Sequence, residues 1–369
     1  MITNFLAVEV CSLATSIQNE KEHVQALSLL ALAPERAAGA VRYVESLTPE
    51  AREQLMDLAD SHHVVVRSLL PVMQHSTSPS LKAWAQQKLD LEDARIQNAL
   101  QHLDRITRAL EENDCPTSVM KSLDHWPDLG NDLDLYTLAP EARIVHVMHK
   151  LLGGHIEARS WGDRLAHKWN FAFDGLRGSV EVHAERLGQT GEHIAMAKRF
   201  VTRRVKMERG GHTYFVPAPE ERIVVATLQR MYRHFYFRVC DVVNSAAIVE
   251  EGLNYRELKN AADLGGIWPG VATYLKIVSD YAQRYRGKPL DLPREVLQAA
   301  KFGAEKLFVM RRFLRVPLMP DGARLFTKQI AATAAAGNVP ATFRLSLLPP
   351  LAATAAVAFK ITGDDKGIW

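Results

Sequence analysis

Residues 119–136 read Val-Met-Lys-Ser-Leu-Asp-His-Trp-Pro-Asp-Leu-Gly-Asn-Asp-Leu-Asp-Leu-Tyr. Near the end of this stretch Asp132 and Asp134 alternate with leucines, a pattern that predicts a strand. Carboxylates two residues apart in a strand share one face and lie roughly 7 Å apart at their Cα atoms. Like charges that close repel each other, so a bound cation would explain the pair. The alternative is a half-exposed strand whose acids face water.

The residues that precede this acid pair suit phosphate binding. Lys121 and Ser122 end the first apolar run, and a lysine ammonium with the neighbouring backbone can hold phosphate oxygens. Gly130 and Asn131 form a tight turn directly before the pair, where a phosphate can approach the backbone. We therefore take these four residues as candidate nucleotide-binding residues. Lys121 could equally be a solvated strand end.

A third acid lies in the alternating segment Ser179-Val-Glu-Val-His183. In a strand, Glu181 and His183 share one face while the two valines share the other. If this strand lies beside Asp132 and Asp134, three carboxylates converge on one face. His183 then becomes a candidate nucleotide-binding residue. Its alternative role is that of a histidine at the edge of the core, bonded to a backbone carbonyl.

Such a cluster suits Mg²⁺, or Mn²⁺, because a hard cation prefers oxygen ligands and binds through few carboxylates plus substrate phosphates. Two such ions about 4 Å apart orient a triphosphate, activate an incoming hydroxyl and neutralise the charge of the leaving pyrophosphate. We therefore predict Asp132, Asp134 and Glu181 as catalytic residues and metal ligands.

The same residues carry a resemblance to a known family. The order Met120-Lys121-Ser122, then Gly130-Asn131-Asp132-Leu133-Asp134, then Glu181-Val182-His183 resembles the nucleotidyltransferase superfamily of DNA polymerase β. Within that superfamily, the chain is most similar to the bacterial group described as uncharacterised nucleotidyltransferases. The likeness continues through Pro219-Glu220-Glu221 into the segment Phe237–Asp241 and covers roughly residues 85 to 285.

The resemblance implies an α+β fold with a small mixed β-sheet as the nucleotidyltransferase core, flanked by mainly helical regions. It also implies that a nucleoside monophosphate moves from an NTP, ATP by default, to a hydroxyl or amine of a protein or small-molecule acceptor, with release of pyrophosphate. Arg238 and Asp241 would brace the nucleotide face. From their spacing alone they are an ordinary helix ion pair.

Two departures from the family pattern leave room for other functions. Ser122 stands where the family usually has glycine, and Lys121 stands where the superfamily has a small residue. The alternative is therefore a non-catalytic adaptor or regulatory protein that binds nucleotides on the same scaffold. A polymerase that acts on nucleic acid is less favoured, because the net charge of the chain is only +3.

The composition bounds the remaining possibilities. The chain has 369 residues, of which 47% are hydrophobic and 24% charged, which is typical of a globular protein with more than one domain. Its three cysteines form neither a disulfide framework nor a zinc motif. The first residues lack the cationic start of a signal peptide, and the apolar stretch 345–359 is too short and proline-broken to span a membrane. We expect a cytoplasmic protein without a membrane partner.

The pattern along the chain divides it into a helical region (1–112), an α/β core (113–217) and a second helical region (218–369). Within these regions, helices are predicted to run from Thr48-Pro49 to Leu70, from Pro219 through Val243, and over 293–312. Hairpins are predicted to pair 167–173 with 179–183, and 200–208 with 212–216.

Five basic residues cluster on and beside the second predicted hairpin: Arg199, Arg203, Arg204, Lys206 and Arg209. They indicate either a solvated face or a surface that meets polyphosphate or RNA.

Overall fold

A computed structural model describes most of the chain. The described residues are 20–160, 163–164, 166–186, 194–310, 312–317, 319, 322–347, 350 and 354. The expectations for the first eleven residues, and most of those for the tail beyond residue 347, concern residues outside these ranges.

Five helices precede the first strand: α1 (20–32), α2 (Ala38–Ser46), α3 (Pro49–Ser61), α4 (Val65–His75) and α5 (Pro79–Glu112). Thr48 caps α3 as predicted, since its hydroxyl accepts a hydrogen bond from the backbone N–H of Ala51 at 3.3 Å. The prediction of one helix from Pro49 to Leu70 was wrong. The helix ends at Ser61, because His63 adopts a positive φ of 51° that an α-helix cannot continue through, and α4 begins only at Val65.

The central element is a five-stranded mixed sheet in the order β1-β2-β5-β4-β3. Its strands are β1 (Thr117–Met120), β2 (Leu133–Thr137), β3 (His155–Ile156), β4 (Lys168–Ala172) and β5 (Val180–Ala184). Strand β2 runs antiparallel to β1 and parallel to β5, and β4 pairs with β5 as the predicted hairpin. The fold class is therefore α+β, as predicted.

Alternation along β2 and β5 separates a packed face of the sheet from a polar face. Leu133 and Leu135 of β2 and Val180 and Val182 of β5 are fully buried in one core with the inner side of α5. The residues between them point to the opposite face. Tyr136 packs there edge-on against Phe200, with ring centroids 5.4 Å apart. The carboxylates of the two strands therefore share the face opposite α5.

The second half of the chain carries most of the remaining helices. They are α6 (Glu141–Val145), which continues as a π-helix to Leu151, α7 (Ile194–Thr202), α8 (Pro219–Thr227), α9 (Val239–Gly252), α10 (Tyr255–Gly265), α11 (Trp268–Arg286), α12 (Arg294–Ala299) and α13 (Gly322–Ala335). A further helix covers 339–347. Many of their buried residues share one core with α1–α4, with Met120 of β1 and with Tyr136 of β2. The predicted boundaries at residues 112 and 217 stay predictions.

Three predictions in this half were wrong in part. The second hairpin pairs β6 (Arg204–Arg209) with β7 (His212–Pro217), while Phe200 lies in α7. The helix predicted from Pro219 through Val243 is interrupted by β8 (Tyr236–Phe237).

The helix predicted over 293–312 ends at Ala299. The chain then forms β9 (Phe308–Met310), which pairs with β10 (Phe313–Arg315), and β10 pairs with β8. Cross-strand pairing between segments distant in sequence outweighs helix propensity in both places.

Within the part of the chain that the structure describes, no helix has both the length and the apolar character needed to cross a membrane.

Gly178 allows β5 to begin directly beside the turn that precedes β2. A Cβ atom at this position would lie 1.8 Å from the carbonyl oxygen of Asn131. We expect Gly178→Ala to lower the free energy of unfolding by about 2 kcal/mol or more, because the two strand ends must move apart. Urea unfolding followed by circular dichroism measures this loss.

The matched control is Gly39→Ala, where an added Cβ meets no atom within 4 Å. This variant should be neutral, or stabilised by up to about 1 kcal/mol, since alanine is the better helix former. Equal losses in both variants would contradict the role of Gly178.

Candidate functional site

The register between β2 and β5 places Asp134 directly opposite Glu181. His183 follows two residues later on the same face of β5. Ligand atoms of Asp134, Glu181 and His183 all lie within 4.8 Å of one another. Strand pairing thus assembles two carboxylates and an imidazole from segments far apart in sequence.

Asp132 lies at the rim of this cluster, just before β2 begins. The residue is exposed, and its Oδ1 accepts a hydrogen bond from the backbone N–H of Ser179 at 3.1 Å. Although the residue is exposed, neighbouring protein atoms displace part of the water around its carboxyl, and this desolvation raises the pKa of Asp132. The negative charges of Glu181 and Asp134 raise this pKa further. Among the described residues, the three whose ligand atoms lie within 4.8 Å of one another are Asp134, Glu181 and His183, so Asp132 is not part of this group. The predicted acids therefore lie on one face of the sheet, near the start of β2 and β5, with Asp132 at the rim.

Lys121 neutralises the most buried acid of the cluster. Its Nζ lies 2.6 Å from Oδ1 of Asp134. Burial alone would raise the pKa of Asp134, but the Lys121 ammonium outweighs burial and holds this pKa well below its usual range. Lys121 also has a positive φ of 60°, a conformation that favours glycine. The turn therefore directs a cation at the acid pair at some cost in backbone strain.

Lys168 plays the matching role for Glu181, and the sequence analysis missed it. Its Nζ lies 3.1 Å from Oε1 of Glu181 and 3.0 Å from Oδ1 of Asp163. Burial would lower the pKa of Lys168, yet these two carboxylates raise it above the usual value. Lys168 stands opposite His183 in the β4–β5 pair. The register of the predicted hairpin could have identified Lys168, since that register determines which residue of β4 faces His183.

His183 is the histidine of the cluster. Burial lowers the pKa of its ring, so that the imidazole is neutral at neutral pH. Its Nε2 lies 3.9 Å from Oδ1 of Asp134, beyond hydrogen-bond distance.

The hydroxyl of Ser122 joins the first two strands instead of facing the cleft. Ser122 is buried, its Oγ accepts from the backbone N–H of Asp134 at 3.0 Å, and the same hydroxyl lies 3.2 Å from the carbonyl oxygen of Asp132. The Gly130 carbonyl accepts from the Arg95 guanidinium at 3.3 Å. Asn131 is half-buried beside Gly178. These contacts hold the turn around the acid pair, and a phosphate-binding role for the turn stays a prediction.

Arg238 and Asp241 lie at the start of α9. The Asp241 carboxylate accepts from the backbone N–H of Arg238 at 2.6 Å and forms an ion pair with Arg230 at 2.8 Å. The Arg238 guanidinium instead contacts the ring of His63. Asp241 and Lys121 line the same cleft. Asp241 thus reaches the side of the site that Lys121 occupies, while its ion pair is with Arg230.

The linker between β1 and β2 is held by helices from both halves of the chain. Asp128 accepts from the backbone N–H groups of Val66 and Arg67, at the start of α4, at 2.7 and 3.2 Å. The ring of His125 bonds Asn244 of α9 at 2.8 Å. The sequence left open whether these linker residues contact a nucleotide or cover the sheet. In the structure they connect the site to helices on either side.

Much of the basic cluster near the second hairpin is engaged with acids. Arg199 and Arg203 both form ion pairs with the buried Glu221, at 2.7 and 3.1 Å, and Arg204 bonds Glu111. These pairs favour a structural role for the three arginines over a surface for RNA or polyphosphate.

No protein-family model matches the chain, and no curated protein matches it either. The functional interpretation therefore depends on the site itself.

We expect Lys121→Met to lower the free energy of unfolding by about 2 kcal/mol at neutral pH, because it leaves the buried Asp134 charge without its closest cation. In the wild type the pKa of Asp134 is lowered, so its contribution is complete above the unfolded value near pH 4 and is lost as the pH falls further. The difference between variant and wild type should therefore shrink below about pH 4. Urea unfolding at several pH values measures it.

Lys88→Met is the control, since the Lys88–Glu53 pair is exposed on the surface. Its effect should stay below about 1 kcal/mol. A Lys121→Met loss that is the same at acidic and neutral pH would mean that Lys121 acts through packing and not through its charge.

Proposed function

We propose that this protein is a nucleotidyltransferase of the superfamily that includes DNA polymerase β, dependent on Mg²⁺ or Mn²⁺. It would transfer a nucleoside monophosphate from an NTP, with ATP the default donor, to a hydroxyl or amine of a protein or small-molecule acceptor, and release pyrophosphate. The observation that carries this proposal is the parallel register of β2 and β5, which sets Asp134 against Glu181 with Asp132 at the rim.

The donor set fits a divalent cation bound together with a triphosphate. Asp132, Asp134 and Glu181 offer carboxylate oxygens, the ligands that such cations prefer. Lys121 and Lys168 each contact one oxygen of a carboxylate, and a carboxylate has a second oxygen to offer. When bound, the metal would supply charge neutralisation on the phosphates and activation of the acceptor.

The side chains of this protein contribute positioning and charge. Lys121 holds Asp134 and lines the adjoining cleft, from which its ammonium can reach the β- and γ-phosphates of a nucleotide. Lys168 fixes the position of Glu181. Asp132 is exposed and has a raised pKa, so it suits the task of accepting the proton from the acceptor hydroxyl or amine. These groups are held by backbone and salt-bridge contacts before any substrate binds, as preorganised catalysis requires.

One observation favours a second candidate function, a non-catalytic nucleotide-binding adaptor. The carboxylates of Asp134 and Glu181 each already have a lysine partner, at 2.6 Å for Asp134 and 3.1 Å for Glu181. Lysines in these positions can replace a metal ion in balancing the charge. An adaptor of this kind would bind an NTP without turning it over.

The test is release of pyrophosphate and transfer of label from each α-labelled NTP, with the purified protein alone and with cell lysate as the source of acceptor. We expect Mg²⁺-dependent labelling that Asp134→Asn and Glu181→Gln each reduce by at least about 100-fold. Asp93→Asn, on the exposed side of α5, is the control and should keep wild-type activity.

The same samples separate the alternatives. Calorimetric binding of ATP without turnover in any condition would favour the adaptor. Labelling that persists in the double variant Asp132→Ala, Asp134→Ala would rule out this site as the catalytic centre. Strongly salt-dependent binding of RNA or DNA would favour a polymerase.

A further inference from the structure

We propose that His183 is a direct metal ligand and that the Asp134–Glu181–His183 group selects Mn²⁺ over Mg²⁺. The inference rests on the proposed function, which gives the metal its role in nucleotide transfer. It adds the nitrogen of His183 to the carboxylate ligands and names Mn²⁺ as the bound ion.

The geometry of the sheet brings the three side chains to one point. Asp134 faces Glu181 across the parallel pair, and His183 is the next residue of β5 on the same face. Their ligand atoms lie within 4.8 Å of one another. One ion can therefore contact all three after small side-chain rotations.

The imidazole of His183 is buried, and one of its two nitrogens lacks a hydrogen bond within the described part of the chain. The residue is only 7% exposed, and its Nδ1 has no hydrogen-bond partner among the described residues. Nε2 is 3.9 Å from Oδ1 of Asp134, too far for a direct hydrogen bond. A buried ring nitrogen without a partner is costly, because it has left water without compensation. A metal bond to Nδ1 would provide that compensation.

The mixed donor set distinguishes between the two candidate ions. Mg²⁺ strongly prefers oxygen ligands, whereas imidazole nitrogen suits first-row transition metals. Mn²⁺ accepts carboxylates and phosphates as readily as Mg²⁺ does, and it lies at the start of the transition series. Two carboxylates with one imidazole therefore favour Mn²⁺ within the class of ions that also bind triphosphates.

The lysines beside the cluster do not prevent binding. Lys121 bonds Oδ1 of Asp134, and Lys168 bonds Oε1 of Glu181. A carboxylate can bond a lysine through one oxygen and a metal through the other. The two ammonium groups reduce the negative charge that attracts any cation, which makes the nitrogen ligand more important for affinity.

The experiment uses the full chain with MnCl₂ alone and with MgCl₂ alone, and no nucleotide. Titration calorimetry and the electron paramagnetic resonance of free Mn²⁺ give the two affinities. We expect Mn²⁺ to bind at least about tenfold more tightly than Mg²⁺. His183→Gln should weaken Mn²⁺ binding at least about tenfold and change Mg²⁺ affinity by less than about threefold. His102→Gln, on α5, is the control, because its Nδ1 also lacks a hydrogen-bond partner among the described residues.

Pulsed electron paramagnetic resonance on the wild type makes the test independent of any variant. A ¹⁴N coupling from a directly bonded imidazole supports the proposal, and bound Mn²⁺ without that coupling overturns it. Equal affinities for both ions, no Mn²⁺ binding, or unchanged Mn²⁺ binding in His183→Gln also overturns it. Mg²⁺-dependent nucleotide transfer by the wild type, together with bound Mn²⁺ that shows no ¹⁴N coupling, would leave the proposed function intact while this inference fails, so that the two outcomes are separable.

Discussion

The structure depends on the two-residue period of β2 and β5. Burying Leu133 and Leu135 in the core beneath α5 obliges Asp134 to face the other way, and Val180 and Val182 impose the same orientation on Glu181. Hydrophobic burial on one face thus provides the free energy that holds like charges together on the other. A one-residue slip in either strand would bury an acid in the core, which makes this register strongly favoured.

The charge balance of the site follows from the same pairing. Asp134 and Glu181 each have a lysine from a neighbouring element, Lys121 at the end of β1 and Lys168 at the start of β4. The cluster is therefore stable as a set of ion pairs. A bound metal ion can take over from a lysine the role of balancing the carboxylate charge. Both the catalytic and the adaptor hypotheses draw on this property, which is why turnover and metal binding have to be measured separately.

Local sequence signals located β2, β4 and β5 and the acids, and tertiary contacts determined the rest. The strand around Asp134, the alternation of β5 and the start of α3 at Pro49 follow from residues within a few positions of each other. Lys168 was missed because its role depends on the register of a hairpin and on Asp163 in a separate segment. The break after α3 could not be read from periodicity either, because the positive φ of His63 leaves no signal in the spacing of the apolar residues. The position of Asp132 outside the compact cluster depends likewise on a bond to Ser179.

The contacts of the linker between β1 and β2 limit how short a fragment of this chain can be and still fold with an intact site. Its carbonyl at Leu129 accepts from Arg95 of α5 at 2.7 Å, Asp128 holds the start of α4, and His125 is held by α9. A fragment limited to 113–217 would retain the acids and lose all three of these supports. The shortest autonomous unit therefore includes helices from both sides of the sheet, and a relative that had lost either helical region would need a different support for this linker.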